Sequence, residues 1–124
     1  KKKEGADILL IDCIGILTKI YSYADIAYVG GAMGTKGLHN TLEPAVFGIP
    51  ILIGKNYTRY QEVQDLVALG GIVSVDSSLL FENEFSKIVA DKNLQKEMGL
   101  TNLNYIKKQA GATSKILLKL KEVY

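Results

Sequence analysis

Four short, predominantly apolar runs limit what this chain can become. Asp7 to Asp12 (DILLID), Ile26 to Val29, Ile51 to Ile53 and Ile72 to Val75 are rich in Ile, Leu and Val and bounded by charge, glycine or proline. A strand with one wet face alternates apolar and polar residues; a run without alternation needs burial on both faces, as in a parallel sheet covered by helices. The intervening segments supply those helices. Ile14, Leu17, Ile20 and Tyr21 recur at helical spacing, and residues 14 to 23 are expected to form a short helix. A helix holding Glu43, Ala45, Val46 and Phe47 is expected to stop at Gly48, and one holding Val63, Leu66 and Val67 at Gly70-Gly71. Ser77 or Ser78 can cap a helix striped by Leu80, Phe81, Phe85, Ile88 and Val89. Beyond Asp91 a lysine-rich helical tail carries Leu94, Met98, Leu103, Ile106, Ile116, Leu117 and Leu120, with Gly111 expected to break it in two. The alternation predicts an α/β fold: a parallel sheet with helices on both faces. No internal repeat or low-complexity segment interrupts it.

In such sheets ligands sit at the carboxyl ends of the strands. The richest segment there runs from Ala27 to Gly54, AYVGGAMGTKGLHNTLEPAVFGIPILIG. Gly30, Gly31, Gly34 and Gly37 let a loop adopt positive φ and bring backbone N–H groups close to a ligand. The cluster His39-Asn40-Thr41-Leu42-Glu43-Pro44 then crowds an imidazole, a carboxamide and a carboxylate onto a helix start, where unpaired N–H groups favour a polar, anionic ligand. Gly54 to Arg59 is a second loop at a strand's carboxyl end.

Composition excludes several classes. At 124 residues and 48% hydrophobic content, the chain is one domain's worth with enough apolar mass for a core. Fifteen basic against thirteen acidic residues give a formal charge of +2, and Arg59 is the only arginine, a pattern that argues against nucleic acid. The lone Cys13 cannot form an internal disulfide, which fits a reducing compartment. No apolar run reaches the roughly 18 residues of a membrane span, and no signal peptide is visible. The opening Lys1-Lys2-Lys3-Glu4, without an initiator Met, suggests a piece of a longer protein.

The candidate residues each carry two readings. Glu43 can accept hydrogen bonds from adjacent ribose hydroxyls, or Asn40-x-x-Glu43 can act as a capping box. Pro44 complicates the second: it is harmless within the first turn if Thr41 is the N-cap, but not if Asn40 is. His39, the only histidine, can donate to a phosphate or a loop carbonyl, or serve structure alone; with no second His or Cys at ligand spacing, no metal site is expected. Asn40 can serve a sugar hydroxyl or a base edge, or fix the loop. Lys36 and Lys55 are candidate phosphate contacts. Neither GxxxxGK[ST] nor GxGxxG is present. No nucleophile, base and orienter set exists, so no catalytic residue is expected in this chain.

At these residues the chain resembles a known family. YADIAYVGG, GLHNTLEPAVFGIPILIG, NYTRYQEV and GATSKIL are similar to the C-terminal domain of the bacterial Kdo transferases, the 3-deoxy-D-manno-octulosonic acid transferases. The resemblance runs from about Ala6 to the final helix, and its most specific element is Gly30-Gly31 with Gly37 to Ala45. It implies a GT-B glycosyltransferase with two Rossmann-like domains, of which this is a truncated C-terminal, nucleotide-sugar-binding one spanning residues 1 to 124. The implied donor is CMP-Kdo, the acceptor the lipid A precursor, and the reaction an inverting transfer in lipopolysaccharide core biosynthesis, without a cofactor. Gly30, Gly31, Gly37, His39, Asn40 and Glu43 would bind the donor, with Asn40 and Glu43 at the ribose. The parent would sit on the cytoplasmic face of the inner membrane, and the fragment itself would be soluble and inactive. Leu38 departs from the Gly-Gly-His-Asn often seen in the family. The family's Pro-Arg loop and the catalytic carboxylate of the acceptor domain have no counterpart here, and an exposed sheet edge could pair with a second copy. Two rivals stay open: another GT-B enzyme using a UDP-sugar, and a non-catalytic domain that binds a partner through the helix at about residues 93 to 121.

Overall fold

The computed structural model describes residues 8, 10, 17–34, 37 and 41–123, and side chains for residues 8, 10, 19–34, 37 and 41–111. The element order is α1 (Leu17–Tyr21), β1 (Ala27–Val29), α2 (Leu42–Val46), β2 (Ile51–Ile53), α3 (Gln61–Leu69), β3 (Ile72–Ser74), α4 (Ser78–Ala90) and α5 (Lys92–Val123). Three of the four expected strands form a parallel sheet in the order β1-β2-β3, with Ala27 opposite Ile51 and Ile51 opposite Ile72. The run at 7 to 12 differs where it is described: Ile8 and Leu10 belong to no strand and are 86% and 84% exposed, so neither has the cover on both faces that a buried strand needs. Its other residues, and Ile14 to Ile16 of the first helix, lie outside the described residues.

Pattern and packing agree in β2, where Ile51, Leu52 and Ile53 are all fully buried. Successive side chains point to opposite faces. Ile51 and Ile53 join Val29, Ala45, Val63, Leu66 and Ile72 beneath α2 and α3, and Leu52 joins Val75, Ile88 and Met98 beneath α4 and the start of α5. Each such side chain contributes about 1.5–3 kcal/mol of burial, which is why a strand of three residues persists. The helix ends follow the sequence signals. Gly70 closes α3 at φ 91°, the Ser77 hydroxyl accepts from the Leu80 amide at 3.1 Å, and Asp91 Oδ1 accepts from the Leu94 amide at 3.0 Å. Gly111 does not break α5, which runs unbroken for 32 residues. A helical glycine costs about 1 kcal/mol relative to alanine, too little to end a helix without a competing turn.

Helix α5 passes under the amino ends of the strands from one sheet face to the other. Leu94 and Met98 pack on the α4 side, whereas Tyr105 and Ile106 pack on the α3 side. Between them Asn102 is fully buried, and its Nδ2 donates to the carbonyls of Ile49 at 2.8 Å and Gly71 at 2.9 Å, just before β2 and β3. Its Oδ1 has no hydrogen-bond partner. That oxygen faces the Gly71 α-carbon, where a Cβ would collide with it, so a Cα–H contact is what the acceptor receives. One turn earlier, Gly99 lies against the Gly48 carbonyl so closely that a Cβ there would overlap the oxygen.

A second link joins α3 to α5. The Tyr105 hydroxyl donates to Asp65 Oδ2 at 2.7 Å, and Gln61 Nε2 donates to Asp65 Oδ1 at 2.9 Å. The Tyr105 and Gln61 hydrogen bonds hold the Asp65 carboxyl below its ordinary 3.8, and burial, then the hydrogen bond to Asp65, push the Tyr105 phenol above its ordinary 10.0.

Two predictions follow from α5. Asn102→Ala leaves two buried carbonyls without their donor and should cost about 2–4 kcal/mol in a denaturant titration, against less than about 0.5 kcal/mol for the exposed Asn104→Ala. The Asp65–Tyr105 pair sets a pH window. A lowered carboxyl pKa adds stability above 3.8 that is lost as pH falls through the folded value, and a raised phenol pKa adds stability below 10.0 that is lost as pH rises through it. The stability difference between the chain and Tyr105→Phe should therefore be flat between these limits and shrink beyond both; a difference that persists unchanged into acid would contradict the link.

Candidate functional site

At the carboxyl edge of the sheet the loops after β1 and β2 are fastened together. Gly31 has φ 101° and turns the chain out of β1, and Ala32 is fully buried beneath the loop. The Asn56 amide donates to the Ala32 carbonyl at 2.7 Å, and Asn56 Nδ2 donates to the Gly34 carbonyl at 2.9 Å. Gly54 makes this approach possible, since a Cβ there would lie 2.5 Å from the Met33 nitrogen. Ser74 at the end of β3 donates from Oγ to the Gly54 carbonyl at 3.0 Å, so all three strand ends share one network. Asn56 thus holds two loop carbonyls, while among the described residues the Gly31 amide has no backbone acceptor. Backbone amides in a glycine-rich turn are suited to an anion.

Gly37 belongs to the same constellation. With φ at 100°, it lies against the residues that lead into α3: a Cβ would stand 2.6 Å from the Tyr60 hydroxyl and 2.7 Å from Arg59 Nη2. The Arg59 guanidinium lies 5.7 Å from the centre of the Tyr60 ring, within cation–π range. Tyr57 and Tyr60 pack against the core beneath α3, which fixes the stretch that carries Arg59. Asn56 and Arg59 bracket this loop, and both are exposed.

Thr41 is the N-cap of α2, without a side-chain cap, so Pro44 falls in the first turn, where its missing N–H is harmless. Glu43 is exposed in that turn. Its charge reaches Tyr21 of α1, whose phenol is raised first by burial and second by Glu43. Helix α2 has five residues, so few peptide dipoles align behind it and its start offers less charge than a longer helix would.

Of the expected site residues, Gly30, Gly31, Gly37, Glu43 and Lys55 are described on this edge, with Lys55 exposed in the loop after β2. Lys36, His39 and Asn40 lie outside the described residues. Sequence reasoning missed the Asn56 latch and the contact of Arg59 with Gly37. The signal for the first was an asparagine two residues after a glycine that ends a buried strand. Among the described residues no group of three His, Cys, Asp or Glu side chains could hold a metal, and no helix is long and apolar enough to cross a membrane. A groove of about 830 Å³ between α3 and α5, bordered by Asp65, Leu69 and Tyr105, lies toward the other edge of the sheet.

The chain is similar to known proteins. A 3-deoxy-D-manno-octulosonic acid transferase of Haemophilus influenzae is 30% identical over 120 residues, 95% of this chain and 28% of that protein. One from Chlamydia trachomatis is 47% identical over 89 residues, 70% of this chain and 21% of its own length. The chain therefore spans about a quarter of these relatives. In fold it is similar to the crystal structure of the C-terminal CMP-Kdo binding domain of WaaA from Acinetobacter baumannii, with a TM-score of 0.70, 20% identity, and cover of 77% of this chain and 51% of that one. No protein-family model matches.

The latch is open to direct measurement. Asn56→Ala removes one hydrogen bond of about 1 kcal/mol, and the Asn56-position amide, bonded to the Ala32 carbonyl, should exchange about fivefold faster with solvent while the global unfolding midpoint moves little. Unchanged exchange there would show that the side chain does not hold the loop.

Proposed function

The chain belongs by sequence to the 3-deoxy-D-manno-octulosonic acid transferases, and on that premise we propose that it is the part of such a glycosyltransferase that binds the activated sugar donor, CMP-Kdo. The observation that carries this reading is the glycine loop after β1, held at the carboxyl edge of the sheet by Asn56 through the Ala32 and Gly34 carbonyls. A phosphate would lie against Gly30 and Gly31, with Lys36 and Lys55 as further cationic contacts. Glu43, exposed on the first turn of α2, would accept hydrogen bonds from the ribose hydroxyls, with Asn40 and His39 shaping the same loop.

In the parent enzyme this domain would stabilise the departing nucleotide. Cleavage of the sugar–phosphate bond leaves charge on the CMP phosphate, and backbone amides already in place stabilise it without reorganising. A carboxylate of the acceptor domain would take the proton from the attacking hydroxyl of the lipid A precursor, in an inverting transfer. On this reading the parent would act in lipopolysaccharide core biosynthesis on the cytoplasmic face of the inner membrane, and this chain alone would be inactive.

The test is an NMR titration of the labelled chain with CMP and, separately, UMP. Saturable shifts at Gly30, Gly31, Gly37 and Glu43, stronger for CMP and weakened about tenfold or more in Glu43→Ala, are expected; loss of a carboxylate's charge-assisted hydrogen bonds is of that size. A stronger response to UMP would favour a UDP-sugar enzyme. A protein partner that contacts α5, with no response to either nucleotide, would favour a partner-binding domain.

A further inference from the structure

We infer that Arg59 is the residue that recognises the carboxylate of the donor sugar. The assignment rests on the donor-binding reading and deepens it. A nucleotide-activated sugar acid presents two anions, the phosphate and the sugar carboxylate, and a site for it needs two separate anion contacts. The glycine loop supplies one. Arg59 is the only arginine in the chain and supplies a contact of different geometry. A guanidinium is a planar fork that matches a carboxylate with two parallel hydrogen bonds, whereas backbone amides at a turn suit a tetrahedral phosphate.

Position selects Arg59 over the lysines. Its guanidinium is brought against Gly37, beyond the latched turn at Gly31 to Gly34, where the missing Cβ makes room for Nη2. The Tyr60 ring lies 5.7 Å from it, and its one hydrogen bond among the described residues is the long one of 3.5 Å from Nη2 to the Tyr60 hydroxyl. Most of its N–H donors thus have no protein acceptor among the described residues. Asn56, three residues earlier, ties the same loop to the Gly31–Gly34 turn, so the backbone that carries Arg59 is joined to the turn that would hold the phosphate. Lys55 lies on that loop, but an ammonium lacks the fork that would favour a planar carboxylate over any other anion.

The experiment compares CMP with CMP-Kdo, binding each to the 124-residue chain and to Arg59→Gln by calorimetry. In the unsubstituted chain CMP-Kdo should bind more tightly than CMP, and Arg59→Gln should weaken CMP-Kdo about 10- to 100-fold, the worth of charged hydrogen bonds, while leaving CMP within about twofold. Unchanged CMP binding also certifies that the variant is folded. Equal weakening of both ligands would assign Arg59 to the phosphate and overturn the inference, as would no effect on either. An unsubstituted chain that binds neither ligand would instead overturn the donor-binding reading, and this assignment with it.

Discussion

One carboxamide fixes how the helices and the sheet meet. Asn102 sends both its N–H bonds to the carbonyls that precede β2 and β3, and the starts of those strands are thereby set relative to α5. The same contact forces glycine on the neighbouring chain at Gly71 and accompanies a second close approach at Gly99. A buried amide is costly unless satisfied, and here the donor is fully used while the acceptor has only a weak Cα–H contact. The arrangement tolerates that loss because the alternative, an apolar residue at 102, would leave two backbone carbonyls without a donor.

With the amino ends of the strands fixed, the carboxyl ends are free to carry loops. Gly54, Asn56 and Ser74 join those loops to one another, and Arg59 and Gly37 extend the contact toward α2. The two edges of the sheet thus have separate tasks. One is closed by a long helix and holds the fold, and the other presents backbone amides, a carboxylate and a guanidinium to solvent.

Much of this was legible in the residues. The unbroken apolar run gave β2, where burial on both faces leaves a direct mark on composition, while β1 keeps Tyr28 exposed and β3 ends in the half-buried Ser74; Gly70, Ser77 and Pro50 marked element boundaries by local chemistry alone. The glycine loop and Glu43 were placed on the ligand edge for the same reason. The long α5 was harder. Gly111 carries a helix penalty that the sequence shows, but without a competing turn that penalty does not end the helix. Asn102 sits on the stripe of Met98, Tyr105 and Ile106 at helical spacing, so a polar residue on an apolar face was visible; which carbonyls it would meet depended on strands some 30 and 50 positions away. Asn56 was hidden in a similar way, because a loop asparagine has many local uses and only the fold brings Gly34 beside it.

The latch between the two ligand-edge loops also bears on time. A glycine-rich segment is free to sample many conformations, and a ligand that had to select one would bind at a rate reduced by the rarity of that state. Here the chain loses that freedom as it folds, when Asn56 closes on Ala32 and Gly34. On the donor-binding proposal, encounter would then depend on diffusion and charge, and the lifetime of the complex on the contacts made once the ligand has arrived.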